Sequence, residues 1–436
     1  MTDQNTFTRR EFVSTGLVLV STITSVPAFL KNSAVVLAAP AGGAGPGNRP
    51  GVPEERILVV VQLSGGNDGL NAVVPFGMPE YYRARPALSV KDNTVLKLDA
   101  TQGIGLNPAL ADFKSMLDDG QAAIIQGVGY PNPNRSHFAS MDIWHTADPV
   151  RGSARGEGWL GRGLDLVAVD KQGHAQAEAC VCIGNSAPLA TQGARVKPVT
   201  FERADAFRWA GGDLHPALTS AYDRLNRTPL EREVPLHDQS QVPFVLRTAL
   251  DAQVASDRIR AAVAKGPATP FPRSGLADQL KTVAAMIRAE LPTRVYYVAL
   301  GGFDTHANQA GRQDGLLSQL GAALKAFYAE LAALGQEQRV LTMCFSEFGR
   351  RVEQNASQGT DHGTAGPMFL AGPMVRPGLH GAHPSLERTQ LDGGDLKYHT
   401  DFRCVYAAIL DQWLKADSKA VLGSAFKPAE VLKGTS

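Results

Sequence analysis

The sequence lacks several features that would assign it to a common functional class. Its formal charge is only +1 over 436 residues, which gives no basic surface of the kind that nucleic-acid-binding proteins use. It contains no G-x-x-x-x-G-K-[ST] phosphate loop and no G-x-S-x-G turn, and neither "GGNDGLN" nor "GGAGPG" gives G-x-G-x-x-G between a strand and a helix. None of its four cysteines has C-x-x-C spacing, so a structural zinc site of that type is excluded. These absences argue against a nucleic-acid partner, a P-loop nucleotide hydrolase and a dinucleotide-dependent oxidoreductase.

The first 41 residues have the pattern of an export signal. Arg9 and Arg10 precede an apolar stretch that is diluted with Ser, Thr and Gly and interrupted by Pro27, which resembles a twin-arginine signal peptide. A membrane anchor is less favoured, because a span needs about 20 consecutive apolar residues. We therefore predict that residues 1–41 are a signal recognised by the twin-arginine export machinery. The mature protein is then periplasmic or secreted and has no stable membrane span.

The rest of the chain is predicted to be one domain. Residues 42–55 are rich in Gly and Pro, which is typical of a flexible linker. From residue 56 to 436, β-branched runs alternate with amphipathic helical patterns. This alternation predicts an α/β fold with three α/β/α layers and a mainly parallel central sheet. The region 150–285 is harder to interpret and is predicted to be a helical insertion or cap around the active face.

Polar side chains follow several predicted strands at the point where each strand ends. Because parallel strands deliver their carboxyl ends to one edge of a sheet, we expect these side chains to lie close together. Carboxylates and imidazoles are ligands for zinc, manganese and calcium, and the sequence does not distinguish among these ions. The sequence thus predicts a site for one or two divalent cations. Its predicted ligands are Asp68, Asp304, His306, Glu347, Asp361 and His362.

Ser136 follows the loop "YPNPNR" and is predicted to be the N-cap of a helix that begins at His137. Two interpretations stay open at this point. Ser136 is either a capping residue or a nucleophile at the positive end of the helix dipole. His137 could assist such a nucleophile, but a single histidine beside a cap is more often a surface or packing residue.

The order of these motifs resembles that of the alkaline phosphatase superfamily. Within it, "QLSGGNDGLN", "GGFDTH" and "SEFGRR…TDHGTAG" are similar to the exported family known as domain of unknown function 1501. The resemblance extends over nearly the whole mature chain. It implies an alkaline-phosphatase-like fold and a metal-dependent hydrolase of small anionic phosphate or sulfate esters. In that hydrolase Ser136 is the nucleophile, and Arg135, Arg350 or Arg351 stabilises the oxygens of the reacting group.

Two departures from the superfamily pattern leave a different function open. Phe348 stands where the superfamily has a histidine ligand, and Asp304 and His306 are closer in sequence than usual. A second hypothesis is therefore a non-catalytic, exported binding or surface protein on a degenerate alkaline-phosphatase-like fold. Whether the chain is an enzyme is left undecided by the sequence, and bound metal is the discriminating observation.

Overall fold

The computed structural model describes residues 55–169, 175–176, 178–207 and 255–434. The predicted signal peptide lies outside the described residues, as does the predicted linker except for Glu55. Much of the predicted insertion lies outside them as well. Each helix in the described part of the chain is too short or too polar to span a bilayer.

The described residues form a central sheet and a small antiparallel sheet. In chain order the strands are β1 (Ile57–Ser64), β2 (Val73–Val74), β3 (Leu96–Asp99), β4 (Ile104–Leu106), β5 (Ala122–Gly129), β6 (Cys180–Ile183), β7 (Val199–Phe201), β8 (Val295–Gly301), β9 (Val340–Phe345), β10 (Gly366–Ala371), β11 (Gly378–His380) and β12 (Thr400–Asp401). The central sheet has the order β11-β5-β10-β9-β1-β8-β6-β7, with β12 beside β5, and the small sheet has the order β2-β4-β3. Strand β10 is antiparallel to both neighbours, while the other described pairings of the central sheet are parallel. The predicted mainly parallel sheet is confirmed.

Helices cover both faces of this sheet. They are α1 (Gly69–Ala72), α2 (Pro79–Ala84), α3 (Ala111–Asp118), α4 (His137–Thr146), α5 (Trp159–Val167), α6 (Gly275–Arg288), α7 (Gln309–Ala333), α8 (Phe402–Ala408), which continues as a π-helix over Ile409–Leu414, and α9 (Ser418–Leu422). Residues 255–264 are also helical. The side chain of Asp401 accepts a hydrogen bond from the backbone N–H of Arg403 and so caps α8, as the sequence "YHTDF" predicts.

Strand β1 shows why the domain has three layers. Its residues Ile57 to Val61 are fully buried. Ile57 and Val59 belong to an apolar cluster with α6 and α7, whereas Leu58 and Val60 belong to a second cluster with α5 and α8. Because successive strand side chains point to opposite faces, a continuous apolar run needs a layer of helices on each side. The predicted three-layer α/β/α architecture is confirmed.

The region 150–285 supplies strands as well as helices. Strand β6 pairs with β8, and β7 pairs with β6, so the region extends the central sheet. The runs "CVCI" and "VTF" are too short for their hydrophobic pattern to identify them as strands. The helices of this region include α6 and the helical residues 255–264, with Ile259 fully buried in the core.

The register of the central strands places three loops at one edge of the sheet. Ser64 at the end of β1 lies beside Gly301 of β8, and Gln62 lies beside Phe345 at the end of β9. Since the three strands are parallel neighbours, the loops that follow them emerge side by side. These loops carry the polar residues that the sequence singles out.

Candidate metal centre

Three histidines and one aspartate converge at this edge of the sheet. Nε2 of His306 lies 3.0 Å from Nε2 of His362 and 3.0 Å from Oδ1 of Asp304. Nε2 of His362 lies 3.1 Å from the same oxygen. His137, the first residue of α4, places its Nε2 3.6 Å from Oδ2 of Asp304. We call Asp304, His137, His306 and His362 the histidine–aspartate cluster.

Each imidazole of the cluster is anchored through its other ring nitrogen. The Nδ1 contacts are His137 to Oε1 of Glu347 (2.9 Å), His306 to Oδ1 of Asp361 (3.2 Å) and His362 to the carbonyl oxygen of Arg135 (2.8 Å). Carbonyl and carboxylate oxygens accept hydrogen bonds and do not donate them, so the neutral tautomer that satisfies these three contacts carries its proton on Nδ1. In the neutral tautomer the three Nε2 atoms therefore direct lone pairs into the cluster.

This arrangement needs positive charge at its centre. Two Nε2 lone pairs 3.0 Å apart repel each other, and the Asp304 carboxylate adds a negative charge beside them. An extra proton relieves one such contact, whereas a cation would satisfy the carboxylate together with the imidazoles whose ligand atoms lie close to one another. The separations of 3.0–3.6 Å are close to the roughly 3.3 Å between two ligands of a tetrahedral ion with bonds of about 2.0 Å. The residues present therefore fit a divalent cation.

Asp304 is ionised under ordinary conditions. Partial burial raises the pKa of its carboxyl, but the hydrogen bond and the charge of the Arg350 guanidinium outweigh burial and hold the pKa below its ordinary value. Arg350 approaches Oδ1 at 2.8 Å. A carboxylate held in this way keeps its charge for a cation at every pH at which the imidazoles are neutral.

Arg350, a predicted catalytic residue, is buried and fully engaged by the protein. Its side chain is about 1% exposed, and besides Asp304 it donates to the backbone carbonyl oxygens of Gly65, Gly66, Phe303 and Thr360. These contacts join the loops that follow β1, β8 and β9. In this structure Arg350 orients Asp304, and its guanidinium is buried away from any ester bound at the surface.

Asp68, a predicted metal ligand, lies in a buried ion pair. Its side chain has no solvent exposure, and its Oδ2 accepts hydrogen bonds from Nη1 of Arg85, at 2.6 Å, and from Nε2 of Gln309. Ligand atoms of His137, Asp304 and His362 lie within 4.8 Å of one another, and His306 adjoins this group through Asp304 and His362. The structure therefore brings Asp304, His306 and His362 together, as predicted for neighbouring strand ends, but engages Asp68 elsewhere.

Glu347 and Asp361 contact two histidines of the cluster through their Nδ1 atoms. Buried Glu347 accepts hydrogen bonds from the backbone N–H of Gly65 at 2.8 Å and from His137. Exposed Asp361 accepts from Asn355 and His306, and these two hydrogen bonds lower the pKa of its carboxyl. Both acids thus hold an imidazole through Nδ1, on the side of the ring that faces away from the cluster.

Ser136 and Arg135 lie at the rim of the cluster. Ser136 is exposed and is the N-cap residue of α4, but its side chain makes no capping hydrogen bond. In the chain it stands between Arg135, whose carbonyl holds His362, and His137. The Arg135 side chain is 47% exposed and forms an ion pair with fully buried Asp395.

Phe348 forms an apolar wall behind two of the imidazoles. Its side chain is buried, and its ring centroid lies 5.0 Å from that of His137 and 4.6 Å from that of His362. An aromatic ring offers no ligand atom for a cation at this position. Its packing fixes the tilt of the neighbouring imidazoles.

His137 is the member of the cluster that the sequence interpretation missed. Its partner Glu347 lies 210 residues further along the chain, so no local pattern connects them. The available signal was its place directly after the candidate nucleophile, combined with an acid at the end of a buried strand. Only the packing of α4 against the β9 loop turns these two features into a contact.

One family model matches the chain over residues 55–397, and its description is "Protein of unknown function (DUF1501)". The chain belongs to this family. The family predicted from the motifs is thereby confirmed. No curated protein matches the chain.

Several solved structures are similar to this DUF1501 protein at low identity. The lipoteichoic acid synthase LtaP from Listeria monocytogenes is 9% identical with a TM-score of 0.31, covering 76% of this chain and 69% of that one. Ps i-CgsB is 10% identical with a TM-score of 0.34, covering 85% and 72%. A mutant of the alkaline phosphatase PafA is 12% identical with a TM-score of 0.28, covering 70% and 64%. TM-scores of this size reflect a loose resemblance in the arrangement of the chain.

Proposed function

We propose that this DUF1501 protein is an exported, divalent-cation-dependent hydrolase of phosphate or sulfate esters with Ser136 as its nucleophile. The observation that carries the proposal is the convergence of three Nε2 lone pairs on the Asp304 carboxylate. Such a centre has no role in stabilising the apolar core, because it lies at the rim of the sheet. A group of charged and titratable side chains at the ends of parallel strands is typical of a site that acts on a ligand.

The histidine–aspartate cluster would hold the cation. Three imidazoles with one carboxylate favour zinc or manganese over calcium, which prefers oxygen ligands. A cation that accepts a fifth ligand there would lower the pKa of a coordinated hydroxyl or water and attract an anionic ester. The contacts needed to keep the imidazoles in place are already present, because Nδ1 of each ring is hydrogen-bonded to an oxygen of the protein.

The protein's own residues would bind and orient the ester. Ser136 presents its hydroxyl at the N-terminus of the ten-residue helix α4, where the helix dipole favours an anion. Arg135 exposes half of its side chain beside it and can donate to the ester oxygens. Arg350 keeps Asp304 in place from inside the protein.

The proposal is tested by assaying the purified protein after removal and readdition of zinc or manganese. Phosphomonoesters, phosphodiesters and aryl sulfates are offered in parallel. We expect hydrolysis that depends on the cation and is lost in Ser136→Ala, while this variant keeps its metal. Asp304→Asn with His362→Ala should lose both metal and activity. His380→Ala is the matched control, because His380 contacts the carbonyl of Arg376 and no residue of the cluster.

One observation favours a second candidate function, a non-catalytic binding or surface protein. Asp68 is engaged by Arg85, and Phe348 replaces a ligand, so two positions used by two-metal hydrolases are not used here. Metal that is bound stoichiometrically without hydrolysis of any ester class would support this candidate. Hydrolysis abolished by Ser136→Ala would exclude it.

Export is proposed from Arg9 and Arg10 together with the apolar stretch that follows them. The twin-arginine machinery would carry the protein after folding, so the cation is acquired before export. Changing both arginines to lysine should leave the full-length protein in the cytoplasm, whereas the unchanged chain should appear, shortened, in the periplasm or medium. Export that persists in the double variant would contradict the proposal.

A further inference from the structure

Glu347 is a buried carboxylate whose contacts are all supplied by the protein. Its side chain is 3% exposed. Oε1 accepts from Nδ1 of His137 at 2.9 Å and from the backbone N–H of Gly65 at 2.8 Å. Oε2 lies 3.2 Å from the hydroxyl of Ser346. A carboxylate engaged in this way is directed at the back of the His137 ring.

The His137 ring is held on its other sides as well. Its centroid lies 4.4 Å from that of His362 and 5.0 Å from that of Phe348. With Nδ1 bonded to a carboxylate, the proton stays on Nδ1, and the Nε2 lone pair faces Asp304. The negative charge behind the ring also makes Nε2 a stronger electron donor.

The described residues around Glu347 leave little to hold a second cation. Oδ1 of Asp68 is buried without a hydrogen-bond partner, but the Arg85 guanidinium lies 2.6 Å from Oδ2 and its positive charge opposes a second cation there. Phe348 has no ligand atom. We infer that Glu347 is a positioning residue that fixes the tautomer of His137, and that the centre holds one cation and not two. This inference rests on the proposed cation site, but it does not depend on whether an ester is hydrolysed.

The test is a cycle of variants read out by zinc affinity, measured in competition with a chelator. Glu347→Gln keeps the shape, and its Oε1 can still accept from both Gly65 and His137, so only the charge is lost. Glu347→Ala removes the anchor altogether. Each change is also made together with His137→Ala. Circular dichroism and thermal unfolding of the zinc-free variants show whether the fold is intact.

We expect one zinc ion per chain at saturation in the unchanged protein and in both Glu347 variants. Zinc affinity should fall about 10–100-fold in Glu347→Ala and less in Glu347→Gln. In the His137→Ala background both changes should alter affinity less than about twofold, because a residue that acts through His137 has nothing left to position. In ¹⁵N spectra of histidine-labelled, zinc-free protein, the proton of neutral His137 should lie on Nδ1, and part of it should move to Nε2 in Glu347→Ala.

Three results would overturn the inference. The first is a second zinc ion bound per chain. The second is a loss of zinc affinity on Glu347→Gln that is equally large in the His137→Ala background. The third is unchanged zinc affinity in both Glu347 variants. The first two would make Glu347 a ligand in its own right. If the unchanged protein binds no zinc or manganese, the proposed function itself fails, and that outcome is recognised before any variant is compared.

Discussion

Replacing Asp68 by asparagine should destabilise the fold and leave the cation content unchanged. Asp68 and Arg85 both have fully buried side chains, and their charged atoms are 2.6 Å apart. Arg85 is fixed by further hydrogen bonds to the carbonyl oxygens of Val352 and Arg351, at 2.9 and 2.8 Å. Without the carboxylate, the guanidinium therefore stays buried beside neutral acceptors only.

The expected size follows from the burial of this pair. Removing one partner of a buried ion pair costs about 3–5 kcal/mol, because the other charge is left without compensation. For a chain of 436 residues, the entropy of unfolding is about 0.8–0.9 kcal/mol per kelvin. The Tm should therefore fall by about 3–6 °C, measured by calorimetry on the zinc-free protein at pH 7.

The matched control removes both charges. Asp68→Asn combined with Arg85→Met should recover at least half of the lost stability, because no unpaired charge stays buried. Zinc content, measured by elemental analysis, should stay at the level of the unchanged protein in both variants. An Asp68→Asn protein that loses its zinc and keeps its Tm would refute this reasoning and make Asp68 a ligand.

Two further predictions concern the core and the loop behind His306. Burial lowers the pKa of His145 to about 4 from its ordinary value of 6.5. The unfolded chain therefore takes up the proton first, so stability present above pH 6.5 is lost as the pH falls towards 4, by about 3 kcal/mol. His145→Phe should flatten that part of the stability-against-pH curve, and an unchanged slope would assign it to other groups. Gly359→Ala would place Cβ 2.1 Å from the His306 backbone carbonyl carbon, so zinc affinity should fall about tenfold or more. Gly311→Ala, with no atom within 4 Å of the added carbon, should not change zinc affinity, and equal effects of the two substitutions would contradict the predicted link.

The sequence predicts the parts of the fold that depend on hydrophobic pattern. The run Ile57 to Val61 identifies a strand covered on both faces, and the amphipathic pattern from Gly275 identifies α6. The hydrophobic pattern does not identify strands β6 and β7, because three or four residues are too few to show a repeat of apolar positions. Their place in the sheet is decided by pairing with β8, which is a contact between distant parts of the chain.

The candidate site also contains some residues whose roles the sequence predicts and others whose roles it does not. Asp304, His306 and His362 could be predicted because parallel strands bring their carboxyl ends to one edge of the sheet. The roles of Asp68 and His137 depend on which side chain lies opposite each of them. Arg85 stands 17 residues from Asp68, and Glu347 stands 210 residues from His137. Neither pairing follows from residue type or spacing, and both decide whether a group is free to bind a cation.

The most direct test of the cation centre is anomalous X-ray diffraction from crystals of the mature protein grown with zinc. We expect one zinc peak bounded by the Nε2 atoms of His137, His306 and His362 and by the carboxylate of Asp304. The Nδ1 contacts that hold the three rings should be unchanged. A peak between Asp68 and Glu347, or no peak among the three imidazoles in zinc-saturated crystals, would contradict this assignment.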